Sequence, residues 1–225
     1  MTTALIIGAG PGLSASLARK LRARGHHIVL AARDTSDLGD LAAETGAVLV
    51  DCNARDRDDM ERLFQTIDAQ PEPLEIAVYN PSARIRGPVH ELDPEGVENA
   101  ILVSGYGAFL MAHHAVKRML PRGNGALLFT GASAGVKGYP NSSTFAMGKF
   151  ALRGLCQSLA RELQPQGIHI GHFVIDGGIA RADMANEDAK WLDPDAIADS
   201  YLHFLDQPRS AWSWEIELRP WVENF

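Results

Sequence analysis

The chain has 225 residues, which fits a single domain spanning residues 1–225, and its hydrophobic fraction of 46% is ordinary for a globular protein. A formal net charge of -7 without a basic stripe argues against a nucleic-acid-binding surface. No apolar run approaches membrane-spanning length, and no secretory signal is evident. Two cysteines and eight histidines lack metal-ligand spacing, so we expect a cytoplasmic protein with free thiols and no metal or membrane partner.

Short apolar runs alternate with amphipathic segments along the whole chain. Runs rich in branched residues predict buried strands at residues 4–7, 28–32, 47–50, 75–79, 125–130, 168–174 and 214–218. Helical periodicity predicts helices at residues 13–24, 36–44, 55–68, 94–120, 144–163 and 194–205. Strands that alternate with helices indicate an α/β fold of three layers, a doubly wound parallel sheet with helices on both faces.

Two of the predicted helices, residues 94–120 and 144–163, are apolar nearly all round. A helix that covers one sheet face needs only one apolar stripe, so the additional apolar face predicts a contact between subunits. We therefore expect a homodimer or homotetramer formed through these two helices. The alternative is that both helices are simply well buried.

The first strand leads into a glycine-rich turn, and a helix follows directly. Such a turn leaves the first backbone N–H groups of the helix unpaired, and they attract an anion. Glycines there permit the close approach of a phosphate. The stretch predicts a dinucleotide site formed by Gly8, Pro11, Gly12 and Leu13, and the alternative is an ordinary strand–helix turn that contains glycine.

The end of the second predicted strand indicates which dinucleotide is bound. An NAD-selecting domain usually carries an acid there, whereas this chain has small residues followed by Arg33. A guanidinium suits the ribose 2′-phosphate, so the sequence favours NADP(H) over NAD(H). The alternative is a surface arginine paired with Asp34 or Asp37.

Polar residues also follow the third and fourth predicted strands. Asp51 and Cys52 end the third strand, where the carboxylate would accept a hydrogen bond from the adenine amine. Asn80 and Ser82 follow the fourth strand, at the same edge of a parallel sheet. Each of these residues is also common in ordinary turns, and it is their joint placement at strand ends that predicts cofactor binding.

Five segments of the chain stand where a known enzyme family has its motifs. Residues 7–14 stand at T-G-x-x-x-G-x-G, Asp51 at the motif aspartate, and residues 80–83 at N-N-A-G. Residues 130–135 stand at the segment of the catalytic serine, and residues 145–149 at Y-x-x-x-K. In these motifs the chain resembles the short-chain dehydrogenases/reductases along almost its whole length. The resemblance implies a Rossmann-type domain of seven parallel strands, a nicotinamide cofactor, and hydride transfer involving a carbonyl or alcohol.

The departures from the family pattern fall on its catalytic residues. Reduction of a carbonyl needs an acid that protonates the developing alkoxide, and in this family the acid is a tyrosine. Phe145 stands in the tyrosine position, Ala132 in the serine position with Ser133 one place later, and Ser104 in that of the helix asparagine. Lys149 is retained, and the resemblance implies that it holds the nicotinamide ribose hydroxyls.

Two functions fit these residues, beside a third possibility, an ordinary scaffold with a degraded site. The first is an NADP(H)-dependent oxidoreductase acting on a small carbonyl, alcohol, imine or conjugated C=C compound through an altered proton relay. Its candidate catalytic residues are Lys149, Ser133 and Tyr139, and Tyr106 is a further candidate donor, as is a water held by Lys149. The resemblance places Ile179 beside the nicotinamide and a substrate loop within residues 180–192. The alternative function is a non-catalytic NADP-binding sensor or structural subunit that has lost the serine–tyrosine pair.

Overall fold

The computed structural model describes residues 1–180 and 189–223, and its core is one parallel sheet. The sheet has seven strands in the order β3-β2-β1-β4-β5-β6-β7. This arrangement confirms the predicted doubly wound α/β fold. The strands are β1 (Thr3–Ile7), β2 (His27–Ala32), β3 (Val48–Asp51), β4 (Leu74–Tyr79), β5 (Gly125–Thr130), β6 (Ile168–Ile175) and β7 (Glu215–Leu218).

Helices cover both faces of the sheet. They are α1 (Leu13–Ala23), α2 (Gly39–Thr45), α3 (Arg57–Asp68), α4 (Pro94–Ile101), α5 (Gly107–Met119), α6 (Ser143–Leu163) and α7 (Pro194–Leu205). Alternate residues of β1 enter opposite cores: Leu5 packs with α3, α5 and α6, whereas Ile6 packs with α1 and α7. Because both faces are covered, central strands such as β5 and β6 are buried throughout, which explains their unbroken apolar runs.

The prediction of one long helix at residues 94–120 is wrong in one respect, because a π-helical turn at Leu102–Tyr106 separates α4 from α5. The wider turn frees the carbonyl of Val103 to accept a hydrogen bond from the buried hydroxyl of Tyr79. Gly107 packs against that same hydroxyl, where any Cβ atom would collide with it. The contact depends on tertiary packing, so helical periodicity alone does not predict it.

Smaller differences at helix starts have local causes. The predicted helix at 36–44 begins with a 3₁₀ turn, Ser36–Leu38, before α2. Helix α3 begins at Arg57 rather than at residue 55, because the Asp56 carboxylate accepts from the amides of Asp58 and Asp59 at 2.9 and 3.0 Å. Among the described helices, none is both long and apolar enough to cross a membrane. Most of the predicted substrate loop, residues 181–188, lies outside the described residues.

Candidate active site

The glycine turn after β1 joins the ends of three neighbouring strands. Gly8 has a φ of 80°, and the amides of Gly8 and Ala9 both donate to the carbonyl of Ala31 on β2. A Cβ atom on Gly8 would lie 2.7 Å from the nitrogen of Pro81, just beyond β4. Glycine is therefore required here both by the backbone conformation and by the close approach of the segment that follows β4.

Ser14 and Asn80 hold the glycine turn in place. The Ser14 hydroxyl donates to the carbonyl of Gly8 at 2.9 Å, and the Asn80 amide donates to the Ser14 oxygen at 2.8 Å. Ser14 replaces a glycine of the family motif, and the structure gives it a bracing role that the sequence did not indicate. The side chain of Asn80 is directed at the turn, so it shapes the cofactor site by holding Gly8.

The N-terminus of α1 is open to an anion. Gly12 caps the helix without a side-chain hydrogen bond, and no acidic residue occupies the first turn. A Cβ atom on Gly10 or Gly12 would meet nothing within 4 Å, so the space over these amides is free of protein atoms. Leu13 packs its side chain into the core and presents only its amide, while Pro11 is exposed in the turn. This arrangement fits the pyrophosphate of a dinucleotide.

A cleft of about 870 Å³ lies over the ends of β1 to β4 and includes Arg33 at the end of β2. Arg33 is exposed, and within residues 1–180 and 189–223 its side chain forms no ion pair. Neither Asp34 nor Asp37, the two alternative partners, pairs with it among these residues, and the Asp34 carboxylate accepts from the amide of Ser36. Arg55, which sequence reasoning missed, lines the same cleft, so two guanidinium groups border it.

Asp51 and Cys52 lie at the end of β3. The Asp51 carboxylate, which was predicted to accept a hydrogen bond from the adenine amine, already has hydrogen-bond donors within the protein. Oδ1 of Asp51 accepts from both the amide and the hydroxyl of Thr35, at 3.0 and 2.7 Å. The carboxylate therefore supports the loop that follows Arg33. Cys52 lines the cleft yet is 2% exposed, and burial raises the pKa of its thiol to about 12. The thiol is neutral and serves as part of the cleft wall.

A second cleft of about 780 Å³ adjoins the first, and Asn80 and Ser82 line both. The second cleft brings together four residues predicted from sequence: Ser133, Tyr139, Lys149 and Ile179. Tyr106 is not part of it. Its hydroxyl accepts a hydrogen bond from Arg57 at 2.7 Å and its ring stacks on Phe109, which removes it from the candidate proton donors.

Lys149 projects from α6 into the wall of the second cleft. Its side chain is almost fully buried, and Nζ donates a hydrogen bond to the carbonyl of Thr130 at the end of β5, at 2.7 Å. Burial lowers the pKa of this ammonium from 10.5 to about 8. Nζ lies 5.8 Å from the centre of the Phe145 ring, which stands one helical turn earlier on α6.

A polar network that the sequence did not indicate lies next to the end of β5. The Nδ1 atom of buried His172 is 2.9 Å from the carboxylate of Glu215, which also accepts two hydrogen bonds from Arg153. Burial lowers the pKa of His172. The imidazole packs directly against Gly131, so the network supports the chain segment whose Thr130 carbonyl holds Lys149.

Ser104, in the position of the family's helix asparagine, is completely buried within the π-helical turn. Its hydroxyl accepts a hydrogen bond from the amide of Ala83 at 3.3 Å, and Gly148 of α6 packs closely against it. The side chain thus fastens the segment after β4 to α6. It does not line the second cleft.

Comparison with known proteins identifies the family. A family model described as short chain dehydrogenase matches residues 2–193. The 3-oxoacyl-acyl-carrier-protein reductase MabA of Mycobacterium bovis is 27% identical over 180 residues, which cover 80% of this chain and 70% of MabA. The chain belongs to the short-chain dehydrogenase/reductase family, whose members are oxidoreductases that bind a nicotinamide cofactor.

Solved structures agree with this assignment. A short-chain dehydrogenase from Rhodopseudomonas palustris has 32% sequence identity and a TM-score of 0.85, with 98% of this chain and 99% of that chain covered. A metagenomic short-chain oxidoreductase, solved in complex with NADP, has 24% identity, a TM-score of 0.84 and 98% coverage of both chains. The similarity to the metagenomic enzyme shows that the two proteins share the fold.

The burial of Lys149 predicts a measurable dependence of stability on pH. Because burial lowers its pKa, the folded protein releases this proton near pH 8, whereas the unfolded chain holds it until about pH 10.5. The charged lysine therefore opposes folding below pH 8, and wild-type stability gains from its deprotonation between pH 8 and 10.5. We expect Lys149→Met to be more stable than wild type by about 2 kcal/mol at pH 7.

The measurement is urea unfolding of the cofactor-free protein between pH 7 and pH 10. The advantage of the Lys149→Met variant should shrink across this range. Lys117→Met, which changes an exposed lysine of α5, is the control and should show no such trend. A Lys149→Met variant that is less stable than wild type at pH 7 would contradict this account of the buried ammonium.

Proposed function

We propose that the protein is an NADP(H)-dependent oxidoreductase that reduces a small carbonyl compound, or oxidises the alcohol, with Lys149 as the source of the proton. The observation that carries the proposal is the buried Lys149 ammonium in the wall of the second cleft, beside a phenylalanine in the tyrosine position. Imines and conjugated C=C bonds belong to the same reaction class, because each accepts a hydride and a proton.

The preference for NADP(H) is supported by the two arginines of the first cleft. Arg33 is exposed at the end of β2, and Arg55 lines the same cleft. A guanidinium binds a phosphate through paired N–H groups, and it keeps its charge at every physiological pH. The metagenomic relative solved with NADP agrees with this choice. When bound, the nicotinamide supplies or accepts the hydride.

Lys149 is suited to proton transfer by its position and by its pKa. Its ammonium gives one N–H to the Thr130 carbonyl and keeps two others for the ribose hydroxyls, the substrate oxygen or a bridging water. A pKa of about 8 makes the group an effective acid near neutral pH, which an ordinary lysine is not. The Ser133 hydroxyl lines the same cleft and would orient the substrate oxygen, and Tyr139 is the alternative donor.

The cofactor assignment predicts a specific effect of Arg33→Gln. Removing a charged partner of the 2′-phosphate should weaken NADPH binding by roughly 10- to 100-fold. NADH lacks this phosphate and serves as the matched control, so its affinity should change little. The measurement is a fluorescence titration of the purified protein with each cofactor. Equal affinities of the wild type for NADPH and NADH would remove Arg33 from this role.

The proton source is tested by kinetics with a panel of carbonyl, imine and enone compounds and NADPH. Lys149→Met should lower kcat by at least about 100-fold, the usual contribution of a positioned acid. Tyr139→Phe and Ser133→Ala should each lower kcat by a smaller factor. The wild-type rate of reduction should fall as pH rises through about 8, because Lys149 then loses its proton. A larger loss in Tyr139→Phe than in Lys149→Met would assign the proton to Tyr139.

The second candidate function, an NADP-binding sensor or structural subunit without catalysis, is favoured by Phe145, which has no hydroxyl. It predicts tight NADPH binding with no turnover of any compound in the panel. If Phe145→Tyr then creates carbonyl reductase activity, the missing hydroxyl is the defect. Turnover by the wild type would exclude this candidate.

We also propose that α5 and α6 form a subunit interface. Phe109, Met147 and Phe150 are each about half exposed on these two helices, where isolated subunits would leave them in water. Phe150→Glu should therefore shift the protein toward monomers in light scattering. Val89→Glu, at an exposed apolar residue elsewhere on the surface, is the control and should leave the mass unchanged. A monomeric wild type would contradict the proposal.

A further inference from the structure

Two arginines line the second cleft from the segment that follows β4. Arg84 and Arg86 lie on either side of Ile85, whose side chain packs against Gly96 of α4. Burial alternates along this segment, with Arg84 and Arg86 exposed on either side of the half-buried Ile85, and both arginines line the cleft. The amide of Gly87 donates to the carbonyl of Asn141, which ties the end of this segment to the loop before α6.

Arg84 stacks on the residue that replaces the family's tyrosine. Its guanidinium carbon lies 4.8 Å from the centre of the Phe145 ring. The side chain of Arg84 is exposed, so its N–H groups are open to bind a carboxylate through two hydrogen bonds. Neither Arg84 nor Arg86 has an ion-pair partner in the part of the chain that the structure describes.

The acidic residues of the second cleft do not neutralise these arginines. Asp176 is buried and its carboxylate lies 3.8 Å from Lys137 and 3.4 Å from Arg219, so two other cations already compensate it. Glu223 is exposed, and its carboxylate forms no ion pair with Arg84 or Arg86 among the described residues. Together with Lys149, the two arginines give this cleft a positive wall in a chain whose net charge is -7. Such a wall attracts anions.

We propose that the substrate is an oxo acid, a carbonyl compound that also bears a carboxylate, and that Arg84 binds the carboxylate. Phe145 then has a use of its own, because its ring holds the guanidinium over the cleft. Arginine keeps its proton at working pH, so Arg84 anchors the substrate and cannot serve as the acid. The inference rests on the proposed function for the reaction, whereas binding of the carboxylate is measurable without any reaction.

The binding test uses matched pairs of probes that differ in charge. The probes are 2-oxobutanoate, 4-oxopentanoate and 5-oxohexanoate, each compared with its uncharged amide and titrated calorimetrically into protein saturated with NADP⁺. We expect at least one acid to bind at least about tenfold more tightly than its amide. A hydrogen bond to a charged group contributes a free energy of binding that corresponds to a ratio of this size. Acid and amide that bind equally in all three pairs, or no binding by any probe, would overturn the proposal.

Variants then assign the effect to Arg84. Arg84→Gln should abolish the preference for the acid, and Arg84→Lys should keep only part of it because the paired N–H edge is lost. Arg161→Gln removes a charge from the far end of α6 and should keep the full preference. Phe145→Leu should reduce the preference while Phe145→Tyr retains it. An Arg84→Gln variant with wild-type preference would overturn the assignment.

A kinetic arm separates this inference from the proposed function. If the NADPH-loaded protein reduces the preferred acid, Arg84→Gln should raise KM by at least about tenfold and change kcat much less, since Arg84 anchors the substrate. If the acids bind with the expected preference but are never reduced, the oxidoreductase proposal fails while carboxylate recognition stands. If neutral carbonyl compounds are reduced with the same kcat/KM as the acids, the oxidoreductase proposal stands and this inference fails.

Discussion

The close contact between Gly8 and the segment after β4 is the constraint on which the candidate site depends. Because Gly8 has no Cβ atom, Pro81 lies directly against it, and the ends of β1 and β4 meet. Ser14 and Asn80 then lock the turn through two hydrogen bonds. This junction lies where the order of the strands reverses in the sheet, which is where doubly wound folds bind their ligands. It makes the two clefts continuous.

The second cleft has two cationic side chains near one aromatic ring. A hydroxyl is missing at Phe145, yet two cationic groups, Lys149 and Arg84, lie close to that ring. One is buried with a lowered pKa and has a proton to give near neutral pH. Arg84 keeps its charge, and its guanidinium presents its N–H donors in one plane. In the proposal made above, these two cations and the Phe145 ring together form a site for an anionic substrate.

Family membership explains the fold and the class of chemistry without identifying a substrate. One fold can host many different activities, so the substrate has to be argued from the side chains around the clefts. In this chain the charged side chains of the second cleft lie on the segments after β4, β6 and β7 and on α6, which the sheet brings together at one edge. Segments of this kind, which a rigid sheet positions, are where proteins commonly carry their binding residues.

The sequence by itself determined the order of strands and helices, because strands buried on both faces must be apolar runs and the helices between them must be amphipathic. It also predicted that Arg33 and Asn80 lie at one edge of the sheet, since strand ends in a parallel sheet meet there, whereas Lys149 was predicted from the family resemblance. Only the tertiary structure decided that Ser14 braces the glycine turn and that a π-helical turn follows α4. Only the tertiary structure placed Arg84 over Phe145, because such contacts join residues far apart in the chain. The hydrophobic periodicity of a sequence does not predict contacts of this kind.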